Sequence, residues 1–174
     1  LWKANEAISR MKIFIDDSSL ITPAQILSKC RRLKNREGLD FIVIDYIQLM
    51  EGGDRSENRQ QEISKITRTL KIIAKELDVP ILALSQMSRL VERRDDKEPQ
   101  LSDLRESGAI EQDADIVLAL YRDGYYNKEC ENPNLAEAII LKNRHGETGT
   151  LELMWLPEYT TFAAIEKKYD DDDY

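Results

Sequence analysis

Residues 41–45 read Phe41-Ile42-Val43-Ile44-Asp45, and residues 81–86 read Ile81-Leu82-Ala83-Leu84-Ser85-Gln86. In each, a short apolar run without polar alternation ends abruptly in polar residues. Unalternating runs rich in β-branched side chains predict strands covered on both faces, the habit of a parallel sheet. Ile116-Val117-Leu118-Ala119-Leu120 has the same texture, and Lys12 to Ile15 is a fainter fourth run. Helical patterns lie between them. Thr22-Pro23 sets an N-cap with proline at the first helical position, predicting a helix to about Asn35 that stops near Gly38. From about Asn58 to Leu77, the residues Ile63, Ile66, Leu70, Ile73, Ala74 and Leu77 recur at three- and four-residue steps. That spacing gives one buried stripe. Pro80 then breaks the chain before the next strand. Strand, helix, strand, helix in this order predicts right-handed crossovers and an α/β fold.

Beyond Tyr121 the texture changes. Residues 122–134 are polar and include Asn132-Pro133, which predicts a loop. Ala136 to Leu141 and Thr150 to Leu156 flank a segment with Gly146 and Gly149, the pattern of a β-hairpin, and Thr161 to Ile165 predicts one more strand. No internal repeat and no linker divides the chain.

With 174 residues, 41% hydrophobic and 33% charged, the chain can bury a real core as one ordinary globular domain. No apolar run approaches the roughly 20 residues that span a bilayer, and the N-terminus lacks a signal-peptide layout. Cys30 and Cys130 are far apart, and His145 is the one histidine. A zinc site or disulfide framework is therefore not expected; a reduced pair in a cytoplasmic protein without a membrane partner is. The net charge is −8, part of it in Asp170 to Asp173, an acidic tail expected to be solvated and disordered. Basic clusters stand at Arg31, Arg32, Lys34 and Arg36 and at Arg89, Arg93 and Arg94. Composition alone neither supports nor excludes a nucleic-acid partner.

Two strand exits carry candidate chemistry. Asp45 places a carboxylate at the C-terminal edge of a strand, where ligands bind in open α/β sheets. An aspartate there can hold a magnesium ion, usually through water, beside nucleotide phosphates. Gln86 leaves a second strand in the same way. A neutral amide can hydrogen-bond phosphate oxygens and reorient when phosphate leaves. The bland alternative for both is a strand that simply ends in polar loop residues.

A more specific signal comes from longer stretches: Val43-Ile-Asp-Tyr-Ile-Gln-Leu-Met50, Glu57-Asn-Arg-Gln-Gln-Glu-Ile-Ser64, Ala83-Leu-Ser-Gln-Met-Ser-Arg89, Ser102-Asp-Leu-Arg-Glu-Ser-Gly-Ala-Ile-Glu-Gln-Asp-Ala-Asp115 and Lys142-Asn-Arg-His-Gly-Glu-Thr-Gly149. In this order and spacing they resemble the RecA-like motor domain of DnaB-type replicative DNA helicases over nearly the whole chain. The resemblance implies a RecA-like P-loop sheet, mostly parallel, with a C-terminal antiparallel hairpin. It implies ATP and magnesium as cofactors, with Asp45 as the Walker B aspartate and Gln86 as the γ-phosphate sensor. Arg105, Glu106 and Gly108 fall on the loop that meets single-stranded DNA, where glycine permits close backbone approach. Lys142 and Arg144 match a trans-acting pair that reaches a neighbouring subunit's nucleotide; alternate strand residues share a face, so both can meet one triphosphate. The partners implied are single-stranded DNA, a homo-hexameric ring, a helicase loader and a primase, with 5′→3′ translocation. Many relatives have Gln and Asn where this chain has Asn143 and His145, but both cations are in place. The histidine is then expected to be a surface turn residue.

No GxxxxGK[ST] pattern occurs. The family places that phosphate-binding loop, and the glutamate that activates water, upstream of the motifs quoted. The chain is therefore expected to be a motor truncated at its N-terminus, beginning midway through a helix at Leu1. Residues 1–168 would form the partial motor domain and residues 169–174 the acidic tail. Little or no ATP hydrolysis is expected from it alone, together with a tendency to aggregate. Two rival readings stay open: another RecA-like ATPase such as a recombinase, and a non-enzymatic interaction module.

Overall fold

In the computed structural model, the residues described are 6, 8–52 and 58–165. The expected start of a helix at Leu1 and the acidic tail lie outside them.

The first helix, α1 (Pro23–Glu37), begins as its capping signal predicts. The Thr22 hydroxyl accepts from the Gln25 main-chain N–H, and the Gln25 side chain accepts from the Thr22 N–H, a reciprocal capping box. It ends at Gly38, whose φ of 84° suits a residue without a Cβ. Strand β1 (Ile42–Ile44) follows, then a 3-10 turn over Ile47–Leu49. Helix α2 (Arg59–Leu77) is capped by the Asn58 side chain, and strand β2 (Ile81–Ala83) lies parallel to β1 with Ile42 opposite Ile81.

The stripe read from the sequence is the core. Ile63, Ile66, Leu70, Ile73 and Leu77 of α2 are buried against Ile26 of α1, Ile42 and Ile44 of β1, and Ile47, Met50 and Val79. Each such side chain contributes about 1.5–3 kcal/mol relative to full exposure. Part of the first basic cluster docks the two helices. Arg31 pairs with Glu76 at 2.5 Å, and the Lys34 ammonium donates to the Leu77 carbonyl at the end of α2.

Two 3-10 segments, Arg89–Arg93 and Leu101–Ser107, lead into α3 (Gly108–Asp113). The second sheet then runs β3 (Ile116–Tyr121), β4 (Leu135–Asn143), β5 (Gly149–Leu156) and β6 (Thr161–Ala164), all antiparallel neighbours in that order. Between β3 and β4 the predicted loop holds a single helical turn, α4 (Asp123–Tyr126).

The α/β class is the one expected, with a parallel part and a terminal antiparallel hairpin. Three details differ. The run at 116–120 pairs antiparallel with β4 rather than joining β1 and β2. A parallel return to β4 would need a crossover, usually a helix packed on the sheet, and residues 122–134 hold one helical turn, so β4 runs back antiparallel along β3. Among the described residues the parallel ladder therefore has two strands and the antiparallel sheet four. Lys12 to Ile15 forms no strand. The strands are also covered on one face only: Val43, Leu82 and Leu118 are each about half exposed while their neighbours Ile42, Ile44 and Ala119 are buried.

Candidate functional site

Parallel pairing brings Asp45 and Gln86 out at the same edge of the sheet. Asp45 follows the last residue of β1 and is exposed, as Gln86 is beyond β2. The two exits are tied together. The Leu84 N–H donates to the Ile44 carbonyl at 2.9 Å, and the Ile47 N–H donates to the Leu84 carbonyl at 3.0 Å. Further out, the Gln48 side-chain amide donates to the Ser85 hydroxyl at 3.0 Å and to the Gln86 carbonyl at 3.2 Å. Its oxygen accepts from the Gln86 main-chain N–H at 3.3 Å. Gln48 was present in the motif but carried no role in the sequence reading; an amide three residues after a strand-terminal aspartate was the available signal.

Among the described residues no group of three or more potential metal-ligating side chains converges. Asp45 offers one carboxylate. That donor set fits magnesium, which keeps several waters and takes phosphate oxygens rather than filling a cage of protein ligands. Gln86 also borders an aromatic cleft, lined by Tyr121, Tyr125, Trp155 and Phe162, in which the Arg122 guanidinium lies 4.9 Å from the Trp155 ring centre. Burial, with Asp123 beside it, pushes the Tyr121 phenol up to about 12, so it stays a neutral donor.

Lys142 and Arg144 stand elsewhere, at the end of β4, and face the C-terminal end of α3. The Lys142 ammonium donates to the Glu111 carbonyl at 2.5 Å and the Ala114 carbonyl at 2.7 Å; Arg144 donates to the Gln112 carbonyl at 3.0 Å. Cations suit that helix end, where unpaired carbonyls gather negative charge. The same-face expectation from strand alternation is thus met, on a surface of this chain's own. Arg144 also pairs with Asp115 at 3.2 Å, and its main-chain N–H donates to the Asp115 carbonyl at 2.8 Å. Lys71 of α2 pairs with the other Asp115 oxygen. The Lys71 ammonium first, then the Arg144 guanidinium, holds the Asp115 carboxyl below its usual range.

Gly108 opens α3, the helix whose far end those cations hold. Its φ and ψ of −51° and −19° are helical, and a Cβ there would meet nothing within 4 Å. Arg105 and Glu106 belong to the 3-10 segment before it; their side chains lie outside what is described. That segment is moored by Asp103, a buried carboxylate that accepts from the Gln100 N–H at 2.8 Å and pairs with Arg94 at 3.0 Å. His145 sits in the exposed turn between β4 and β5, as expected.

The family model for the DnaB-like helicase C terminal domain matches residues 1–164. The chain belongs to the DnaB-like helicase family. It is 55% identical over 172 residues to the replicative DNA helicase DnaB of Geobacillus stearothermophilus, covering 98% of this chain and 38% of that protein. Identity and coverage are the same for the replicative DNA helicase DnaC of Bacillus subtilis strain 168. Among solved structures, an ATPase domain superposes with a TM-score of 0.91 at 47% identity, over 95% of this chain and 59% of that one. A DnaB-like replicative helicase solved for its interactions with primase gives a TM-score of 0.91 at 48% identity, over 95% of this chain and 40% of that one. The chain thus spans little more than a third of the length of these curated DnaB relatives. No helix among the described residues is long and apolar enough to cross a membrane.

Proposed function

We propose that this chain is the distal part of an ATP-driven replicative DNA helicase motor. The observation that carries the reading is the pair of parallel strand exits in a DnaB-like chain. Asp45 and Gln86 leave adjacent strands at one edge, and Gln48, three residues beyond Asp45, bonds the Gln86 main chain. Asp45 would hold magnesium through water, and the bound ATP would supply the phosphoryl group whose transfer to water drives each step. Gln86 would report the γ-phosphate by hydrogen bonding, then reorient on its release.

Lys142 and Arg144 would serve the nucleotide of a neighbouring subunit in a hexameric ring. A planar guanidinium offers a two-pronged donor to phosphate oxygens, and such a finger is worth about 10³–10⁵ in rate. Lys142 rests on carbonyls at the end of α3, neutral acceptors that a triphosphate outcompetes in charge. Arg144, held by the Gln112 carbonyl and the Asp115 carboxylate, would exchange that single carboxylate for a triphosphate. Because α3 begins at Gly108, displacement at its C-terminal end offers a path to the Arg105, Glu106 and Gly108 segment, which would grip the backbone of single-stranded DNA. Translocation 5′→3′, a loader, a primase and a cytoplasmic setting complete the reading. The primase is the partner of a solved relative.

The test is ATP hydrolysis by a protein carrying the full length of the relatives, with and without single-stranded DNA, beside its Arg144→Ala variant. DNA-stimulated turnover that collapses in the variant supports motor and finger together. No turnover in a folded, oligomeric protein would favour the interaction-module reading. The 174 residues alone lack a GxxxxGK[ST] loop and are proposed to be inactive; steady-state ATP hydrolysis by them would refute that.

A further inference from the structure

The β1–β2 ladder does not end where its strands do. In a regular parallel pair, a residue that donates to position 44 on its neighbour accepts from position 46. Leu84 donates to the Ile44 carbonyl but accepts from the Ile47 N–H, one residue later. The main chain of β1 therefore swells outward at Asp45 and Tyr46, and the two backbones part. The next rung is made by a side chain. Gln48 accepts from the Gln86 N–H at 3.3 Å and donates to the Gln86 carbonyl at 3.2 Å, so its amide supplies both groups that a strand neighbour would have presented. The same nitrogen reaches the Ser85 hydroxyl at 3.0 Å.

Gln48 is itself held from behind. Its carbonyl accepts from Arg59 at 2.6 Å, the Arg59 guanidinium also reaches the Met50 carbonyl at 3.4 Å, and Arg59 pairs with Glu62. Glu62 accepts from the Gly52 N–H at 2.8 Å, which closes the turn onto the first residues of α2. A helix that carries the hydrophobic core is thus wired, through one amide, to the main chain of Gln86. Among the described residues the Gln86 side-chain amide has no hydrogen-bond partner of its own.

We infer that Gln48 is a positioning residue: it clamps the Gln86 main chain against the Asp45 exit, so that only the Gln86 side chain moves during the cycle. The inference rests on the reading of Gln86 as the phosphate sensor. It accounts for three things at once: why the ladder swells at Asp45, why an amide stands three residues later, and why Arg59 grips the main-chain carbonyl of Gln48. A mobile main chain at Gln86 would let the reporting side chain settle without registering phosphate. A fixed one makes the side chain's reorientation depend on the phosphate alone.

The test uses a protein of the relatives' full length carrying Gln48→Ala or the isosteric Gln48→Glu. Without nucleotide, hydrogen exchange at the Gln86 main-chain N–H is expected to quicken about tenfold in Gln48→Ala, while exchange across the α2 core stays as in the parent. With ATP and single-stranded DNA, kcat is expected to fall about tenfold with KM little changed, the size of one or two hydrogen bonds lost. Gln48→Glu keeps the volume and the acceptor but loses both donor bonds, and its turnover should fall as well, which mere loss of packing would not produce. Unchanged exchange at Gln86 would overturn the proposal. So would quickened exchange with full turnover while Gln86→Ala loses it. If Gln86→Ala itself keeps DNA-stimulated turnover, the sensor reading falls first and takes this inference with it.

Discussion

Gly108 separates what the fold requires from what function requires. Its backbone is ordinary right-handed helix, and the space where a Cβ would sit is open. Nothing in the fold asks for glycine. An alanine there should be neutral or stabilising, by roughly 0.5–1 kcal/mol, because glycine loses more backbone freedom on folding. If the segment from Arg105 to Gly108 grips a phosphate backbone, the added methyl stands between main-chain N–H groups and the strand. Gly108→Ala is therefore expected to raise or keep the melting temperature while weakening single-stranded DNA binding severalfold. Unchanged DNA affinity, measured by fluorescence anisotropy at fixed salt, would remove Gly108 from the interface. Asp103 is its counterpart: buried, bonded to the Gln100 N–H and paired with Arg94, it moors the same segment for structural reasons.

Between elements, the joint that matters is the one where α2, α3 and β4 meet. Asp115 pairs with Lys71 on one oxygen and Arg144 on the other, and those cations hold its carboxyl below the usual range. A carboxylate whose folded pKa lies below its unfolded value stabilises the fold above the unfolded pKa, near 3.8, and loses that contribution as pH falls through the folded value. The parent chain should therefore lose stability more steeply than Asp115→Asn as pH drops below about 4, and the two curves should converge at the acid end. Parallel curves throughout would show that the pair contributes nothing to folding, the usual fate of an exposed ion pair. This joint was not legible in the sequence. Asp115 stood in a recognised motif, but Lys71 is one of several lysines on a helix, and only the packing of α2 beside α3 selects it. The stripe of α2, by contrast, could be read nearly whole, because a 3.6-residue period needs no tertiary information; Ala74 is only partly buried, and Thr67, polar in the sequence, is buried among the stripe. The pairing of β3 could not: an apolar run of five residues reads alike in parallel and antiparallel company, and the lack of a crossover helix before β4 decides it. Asp45 and Gln86 were legible as strand exits; that a side chain completes the ladder between them was not, since the swelling at Asp45 exists only in the paired strands.

At the scale of the whole molecule, each sheet leaves apolar side chains open. Val43, Leu82, Leu118 and Leu120 are each about half exposed, and Phe14 and Ile15 lie exposed in the segment before α1. Large contiguous apolar surface is rare on monomeric proteins and marks contact with something else. The curated relatives are more than twice as long as this chain, so further layers are available in them to cover such a face. The 174 residues alone are accordingly expected to bind an apolar dye and to sediment above the 20.2 kDa of a monomer. Threonine at both Leu118 and Leu120 should reduce both signals without disturbing the α2 core, since the buried neighbours of those positions are untouched. A protein with the relatives' full length should show weak dye binding while assembling further, and that contrast carries the argument. Dye binding lost as oligomerisation persists means that the apolar face is an internal layer and that the ring forms through other surfaces, the Lys142 and Arg144 edge among them. If dye binding instead disappears only on oligomerisation, the face lies between subunits, and the trans-acting role proposed for those two cations would have to be sought beside it.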